Sequence, residues 1–338
     1  MTQAIEQLAY AHGGPPLEAQ LRATPEDFIV EECLGFGADG EGEHALLEVT
    51  KRGHNTDWIA RELARFADVS PVGVGYAGLK DRHAVTTQAF TVQLPGKADP
   101  DWVQFPHAKV TSLGRHRRKL KRGALTGNRF VLTLREVQGQ REAAEAVLAA
   151  IVEHGVPNYY GEQRFGRKGG NVARAEAMFE GRRVDRKTRS LLLSAARSHL
   201  FNAVLDRRVS DGTWNQALAG EIWALAGSRS WFGPEAYDDT LAERLARGDI
   251  HPSGMLWGRG QLPTTEAARE IEQAIADQHT VLTAGLEAAG MDQDRRPLRL
   301  MPSELAWQWL DDTSLEVGFR LPPGAYATVV MRELMGSA

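Results

Sequence analysis

Cysteine is nearly missing from this chain of 338 residues, with Cys33 the single example. One thiol excludes an internal disulfide and every zinc or iron–sulfur site built from several cysteines, and it fits a reducing cytoplasm. Long apolar runs are missing as well. No stretch approaches the ~18 residues that a membrane span needs, and LLLSAA is far too short. The opening segment MTQAIEQLAYAHGG has no basic region followed by an apolar one, so no export signal is expected. Nor does one sign of charge dominate, since 40 Lys and Arg face 44 Asp and Glu for a formal net charge of −4. That balance argues against indiscriminate nucleic-acid binding but leaves room for local basic patches. The patterns GxxxxGK(S/T), HExxH and GxSxG do not occur, which lowers the prior for P-loop, zincin and nucleophile-elbow enzymes. Internal repeats and low-complexity tracts are absent too.

What remains is an ordinary globular composition, 42% hydrophobic and 25% charged, in a chain long enough for two domains. DFIVEECLGF and HALLEVTKRG look like strands separated by the acidic, glycine-rich loop GADGEGE. In NTDWIARELARFADV the spacing of Ile59, Leu63 and Phe66 predicts a helix that Asn55 can cap. QAFTVQLPG and NRFVLTLREV alternate as half-buried strands, with Phe90, Val92 and Leu94 on one side of the first and Phe130, Leu132 and Leu134 on one side of the second. Between them GKADPDWVQFP reads as a loop. The helix REAAEAVLAAIVEHG then stops at Gly155, with Pro157 just beyond. Helical RSLLLSAARSHLFNAVLDRRV follows, then irregular SRSWFGPEAYDD and a long helical pattern from Thr264 to about Ala289. After DRRPLRLMPSELAWQWLDD the chain returns to strands, with SLEVGFRL, the turn PPG and AYATVVMREL. Strand-rich ends around a helix-rich middle suggest a sheet domain completed by the C-terminus, with a second domain inserted in it.

A literal GxGxxG falls at Gly35, Gly37 and Gly40. A strand rather than a helix comes next, and Asp39, Glu41 and Glu43 would repel a pyrophosphate, so it is not read as a nucleotide loop. RHRRKLKRG, Arg115 to Gly123, holds six Lys and Arg in nine residues between strand-like segments. Such density is the footprint of phosphate contact, set against the common case of a solvated face. From Gly161 to Arg189 nine Lys and Arg face four Asp and Glu, and Tyr159, Tyr160 and Phe165 lie at or beside the start of that stretch. Those rings suit unstacked bases or ordinary packing equally well. In GYAGLKDRHAVTTQAF, Asp81 is flanked by Lys80, Arg82 and His83, and neighbouring cations favour the ionised carboxylate. An ionised carboxylate suits a nucleophile, a base or an electrostatic stabiliser, although a turn residue is the default from charge and periodicity alone.

Taken together, PEDFIVEE, NTDWIARELARFA, VGYAGLKDRHAVTTQAF, RKLKRGALTGNRFVLTLRE, PNYYGEQRFGRKGGN and LPPGAYATVVMREL resemble, in order, the TruD family of tRNA pseudouridine synthases. The resemblance runs from about residue 20 to the C-terminus. It implies an α+β fold, a V-shaped pair of a pseudouridine synthase catalytic domain with a central mixed or antiparallel sheet and a helix-rich insertion domain. Residues 1–154 and 303–338 would form the discontinuous catalytic domain, and 155–302 the insertion. It implies isomerisation of uridine 13 in certain tRNAs without metal or organic cofactor, with Asp81 as the catalytic aspartate. The family's uracil contacts fall on Phe28, Asn128, Phe130 and Tyr326, the last more usually Phe. A family lysine is here Arg22, which replaces a point charge with a planar fork. Arg22 and Lys80 are expected beside the substrate. Arg117, Arg118, Lys119, Lys121, Arg164, Arg167 and Lys168 are expected on the RNA. The expected setting is cytoplasmic, as a monomer whose partner is tRNA, with no membrane and no obligate protein partner.

The chemistry suits these residue types. The target base must leave its stack before the N1–C1′ bond breaks, so a pocket edged by aromatics and an amide is needed. An Asn amide can serve the uracil edge in either orientation, because it both donates and accepts. Positive character at C1′ calls for an ionised carboxylate, as in glycosidases. Attack at C1′, removal of the C2′ proton and addition to C6 all remain open to Asp81. Two rivals use the same basic patches. A non-catalytic tRNA-binding protein or RNA chaperone would not need Asp81. A methyltransferase should show a glycine-rich cofactor turn between strand and helix, and none is found.

Overall fold

A computed structural model describes residues 7–166 and 169–336. The chain opens with β1 (Leu17–Leu21) and β2 (Phe28–Leu34), and β3 (His44–Arg52) follows the acidic loop. Then come α1 (Thr56–Phe66), β4 (Val74–Tyr76), β5 (Val85–Gln93), β6 (Lys109–His116) and the long β7 (Leu125–Gly139). The second stretch holds α2 (Arg141–His154), β8 (Val156–Pro157), α3 (Gly170–Phe179), α4 (Arg186–Ser210), β9 (Trp223–Leu225), β10 (Trp231–Phe232), α5 (Asp239–Arg247), β11 (Ile250–Leu256), α6 (Glu266–Gln278), α7 (Thr280–Ala288), β12 (Asp294–Pro297) and β13 (Arg299–Leu300). Finally β14 (Ser303–Asp311) and β15 (Ser314–Leu321) make a hairpin, and α8 (Ala327–Met335) ends the described chain. The α+β class is as expected from the sequence.

Two compact units emerge. Residues 18–139 and 303–324 form a sheet unit; the described residues up to 17, with 140–302 and those from 325 onward, form a helical unit. The expected domain borders at 155 and 303 are drawn differently from these contact units, in which α2 packs on α8 and α8 on β8.

Among the described residues the sheet unit carries a nine-stranded sheet in the order β14-β15-β7-β2-β5-β3-β6, with β1 on β7 and β4 on β5. Its central pair, β2 and β5, is parallel, with Ile29 opposite Val85 and Val30 opposite Thr86. The other pairings within this sheet whose direction is resolved are antiparallel, so the sheet is mixed. Period-two alternation sends Ala45, Leu47 and Val49 of β3 and Phe90 and Val92 of β5 to one face, where Ile59, Leu63 and Ala64 of α1 cover them. The opposite face buries Leu46, Ala89 and Leu120. Asn55 starts α1 as expected, but through its backbone: its carbonyl accepts from the Trp58 and Ile59 amides, and its side chain makes no capping bond.

In the helical unit α4 is the central helix, packed by α3, α6, α7 and β11. A sheet in the order β10-β9-β11-β12 shares this unit, so the middle of the chain is less purely helical than its patterning suggests. The helical pattern after Thr264 is two helices, broken at His279, which ends α6 and caps α7. The C-terminal segment AYATVVMREL corrects the expectation of a strand. It forms α8, in which every residue from Val329 to Met335 is buried. Thr328, Val329 and Val330 mimic a strand by their β-branched side chains, and a helix buried all round shows no polar stripe to reveal its period.

Gly127 on β7 has a strict spatial reason: a Cβ there would stand 2.5 Å from the Leu321 carbonyl of β15. Gly127→Ala is expected to push β15 from β7 and lower unfolding stability by about 1–3 kcal/mol. Urea unfolding checks this, and an unchanged midpoint would show that the strand pair yields freely.

Candidate active site

Asp81 lies in the turn between β4 and β5, and buried polar side chains hold that turn in place. Lys80 and Glu32 form an ion pair whose side chains are 6% and 0% exposed, which leaves no room for solvent between them. Glu32 also accepts from the Ala89 amide at 3.3 Å. The Thr56 hydroxyl accepts from the Lys80 amide at 2.9 Å and donates to Gln88 at 2.8 Å, and the Gln88 amide donates to the Gly78 carbonyl at 3.1 Å. From β3, the Lys51 ammonium donates to the carbonyls of His54 at 2.7 Å and Asp81 at 3.3 Å. The turn is therefore tied down on both sides of Asp81.

The Asp81 carboxylate itself has two partners. One oxygen accepts from the His83 amide at 3.0 Å, and the other lies 3.2 Å from Nη1 of Arg22, with both side chains partly exposed. Arg22 follows β1 with φ at +67°, an uncommon conformation for a residue with a side chain. Its guanidinium also lies 3.9 Å above the Phe28 ring. A planar fork can stack and form an ion pair at once, which an ammonium cannot match in geometry. Phe28 is the first residue of β2, and its ring meets Phe130 edge-on at 6.3 Å; Phe130 in turn packs on Phe319 at 5.6 Å. Asn128 shares the Phe130 face of β7 and stands opposite Glu32 in the register. The buried Oδ1 of Asn128 and the buried Nε of Arg22 have no hydrogen-bond partner. A buried acceptor without a donor is uncommon and calls for a reason.

The fold thus brings Arg22, Phe28, Asp81 and Phe130 together and sets Asn128 on the same face. Lys80 takes a different place from the one expected, because its ammonium is paired with Glu32 beneath the turn. Arg82 donates to the Gly53 carbonyl at 3.2 Å. Tyr326 and Arg164 lie in the helical unit, where Arg164 donates to the Tyr326 hydroxyl at 2.9 Å and to Ser194 at 2.8 Å. Tyr159, Tyr160 and Phe165 are buried there, and Tyr160 packs edge-on against Phe201 at 5.5 Å. Arg167 and Lys168 lie outside the described residues.

The basic run begins at the end of β6, and the acidic loop before β3 answers part of it. Arg117 pairs with Glu41, its amide donates to Asp39 at 2.8 Å, and His116 lies 2.9 Å from Asp39. The hydrogen bond from the Arg117 amide is the largest cause that holds the Asp39 carboxyl below its ordinary range. Arg115 pairs with Asp99 at 2.6 Å, and Lys119 donates to the Val72 carbonyl. Among the described residues Arg118 and Lys121 have no ion-pair partner. Among the described residues no group of three or more His, Cys, Asp or Glu could hold a metal ion, and no helix is long and apolar enough to cross a membrane.

Lys51, Glu32, Thr56 and Gln88 were not singled out from the sequence. Lys51 carried a signal: in HALLEVTKRG it continues the inward row Ala45, Leu47, Val49, a position where a lysine has to find carbonyls.

The chain matches the family model described as tRNA pseudouridine synthase D (TruD) over residues 4–181 and 170–334. A tRNA pseudouridine synthase D of Xanthomonas axonopodis pv. citri (strain 306) is 54% identical over 346 residues, 97% of this chain and 94% of the relative. Its namesake in Hydrogenovibrio crunogenus is 45% identical over 335 residues, 98% of this chain and 96% of that one. A solved structure from Methanosarcina mazei under the same family name covers 96% of this chain and 95% of its own, with a TM-score of 0.78. At 23% identity that last likeness concerns the fold alone.

Burial lowers the Lys51 ammonium to about 8 from its ordinary value, against the pull of the Asp81 carboxylate and with the help of the Lys80 charge. A lysine lowered in the folded state releases its proton there first, so the unfolded chain binds more protons from about pH 8 up to the ordinary lysine range near ~10.4. Stability due to this group therefore rises with pH through that window. The unfolding free energy of wild type minus that of Lys51→Met, followed from pH 7 to about 10, should climb above pH 8. A flat difference would mean that Lys51 is not held in a desolvated site.

Proposed function

This chain belongs to the TruD family of tRNA pseudouridine synthases, isomerases that convert uridine in tRNA to pseudouridine, and we propose that it acts on uridine 13 of certain tRNAs with Asp81 as its catalytic carboxylate. The observation that carries the proposal is the Asp81–Arg22 ion pair, at 3.2 Å, with Arg22 stacked on Phe28. It supports a carboxylate held against a cation and aimed from a braced turn. The N1–C1′ bond breaks, the uracil turns, and C5 bonds to C1′; the C5 hydrogen leaves as a proton and N1 gains one. No atom is lost overall, so no co-reactant is consumed, and the proposed scheme uses no metal or organic cofactor. Asp81 acts by attack at C1′, by removal of the C2′ proton or by addition at C6.

Phe28 and Phe130, 4% and 8% exposed and packed edge-on against each other, are assigned to the detached uracil on the resemblance, and the unpartnered Oδ1 of Asn128 suits a uracil N–H. Tyr326 is assigned as a further uracil contact on the resemblance, with Phe more usual at that position. Lys80 acts through Glu32 as a positioning residue rather than on the substrate. Of the basic run, Arg118 and Lys121 are best placed for phosphates, while Arg117 and Lys119 are already engaged. Arg164, Arg167 and Lys168 are assigned to RNA in the insertion domain, taken as residues 155–302. The proposed setting is a cytoplasmic monomer.

Purified protein incubated with tRNA tritiated at uridine C5, with nothing added, should release tritium, and silence in this assay would end the reading. Asp81→Asn should abolish release while tRNA affinity stays within about a few fold, the separation that a non-catalytic binder or chaperone would not show. Asn128→Ala and Phe130→Ala should slow turnover roughly ten- to hundredfold through lost hold on the base. The Phe130 variant also loses packing between Phe28 and Phe319, worth about 3–5 kcal/mol, so its folded fraction has to be measured beside its rate.

A further inference from the structure

The cations between Gly161 and Arg189 are not alike. Arg164 is engaged by Ser194 and Tyr326, and Arg174 donates to Asn171 at 3.1 Å. Further along, Arg182, Arg183, Arg186, Lys187 and Arg189 crowd the corner where α3 gives way to α4, and all five are exposed. Among the described residues none of them has a carboxylate within ion-pair distance. The acids closest in sequence are Glu180, exposed at the end of α3, and Asp185. Asp185 is committed to capping α4: its carboxylate accepts from the Thr188 amide at 3.0 Å and from the Thr188 hydroxyl at 2.6 Å. Those two bonds hold its carboxyl below the ordinary range.

The position of these charges opposes the fold. Arg186, Lys187 and Arg189 sit at the start of α4, where free amides and the helix dipole favour negative charge, and the first turn contains no acid. They also repel Arg182 and Arg183. Nothing in α4 requires them, since the helix is anchored by Leu192, Leu193, Ala195, Ala196 and Leu200 further along. An anionic partner relieves both penalties at once. The run at Arg115–Arg122 differs, because acids and carbonyls meet much of its charge.

We propose that Arg182, Arg183, Arg186, Lys187 and Arg189 form a docking surface for the sugar–phosphate backbone of tRNA; its identity as tRNA rests on the isomerase reading above. The aromatic nearest in sequence on the upstream side, Phe179 at the end of α3, is half-buried with its ring engaged against Gly285 of α7, and Tyr159, Tyr160 and Phe165 further upstream are buried. The surface therefore holds phosphates and sets affinity without reading bases.

The test is the salt dependence of tRNA binding for wild type and for a variant with all five residues changed to Gln. Each lost phosphate contact should flatten the log–log slope by about 0.7–0.9, and affinity at low salt should fall more than ~10-fold. The kcat/KM for tritium release should fall by the same factor as affinity. The melting midpoint should stay level or rise, because cations leave a helix N-terminus. An unchanged slope would overturn the proposal, and so would a lowered midpoint with wild-type affinity. Should the fivefold variant not fold, Arg182→Gln with Arg183→Gln, outside α4, carries the same test with about two contacts at stake. Wild type that binds tRNA with a steep slope but releases no tritium would end the isomerase reading and leave the surface standing, to be judged by the slopes alone.

Discussion

The parallel pairing of β2 with β5 places the candidate site. Both strands start at the same end of the sheet, so the segments that precede them become neighbours whatever their side chains. Arg22 and Phe28 arrive from one side and the Asp81 turn from the other. An antiparallel pairing of the seven-residue β2 would have left these starts about 20 Å apart, the length of the strand. β7 then lies antiparallel on the far side of β2 and lays Phe130 and Asn128 alongside. Chemistry follows from strand direction.

Precision at that end comes from polar groups that are buried and satisfied. The Glu32–Lys80 pair, Thr56, Gln88 and Lys51 grip the backbone around Asp81. Buried ion pairs contribute little net stability, but a buried charge left alone is costly, so such a pair tolerates few other arrangements. Asn128 Oδ1, Arg22 Nε and Thr86 Oγ1 are among the buried polar atoms without a partner. Arg22 Nε lies on the guanidinium that pairs with Asp81, and Asn128 Oδ1 on the face of β7 that also carries Phe130.

Charge shows the same division of labour. A net charge of −4 says little about where RNA would bind, because the acids are distributed locally. Asp39 and Glu41 answer the end of β6, while the start of α4 receives no such answer. Density of Lys and Arg in a sequence is therefore a poor guide to free positive potential. The compensating acids come from elsewhere in the chain.

Much was legible in the residues alone. Alternation along FTVQL and FVLTL foretold buried faces in β5 and β7, because side chains on a strand turn inward every second residue. Gly155 and Pro157 marked the end of α2, and the GxGxxG at Gly35–Gly40 was set aside because a strand follows it. The ordered series of long motifs pointed to the family and, through that resemblance, to Asp81 as the candidate carboxylate, whereas charge and periodicity alone favoured a turn residue there. Other features had no local signature. A fully buried α8 carries no periodic polar stripe, so its β-branched residues read as a strand. That the Lys80 ammonium turns to Glu32, 48 positions earlier, while Asp81 meets Arg22 from beyond β1, depends on strand order and direction. Local sequence sets which faces are apolar and which residues can titrate or stack; only the packed sheet brings distant charges within the few ångströms at which they choose partners.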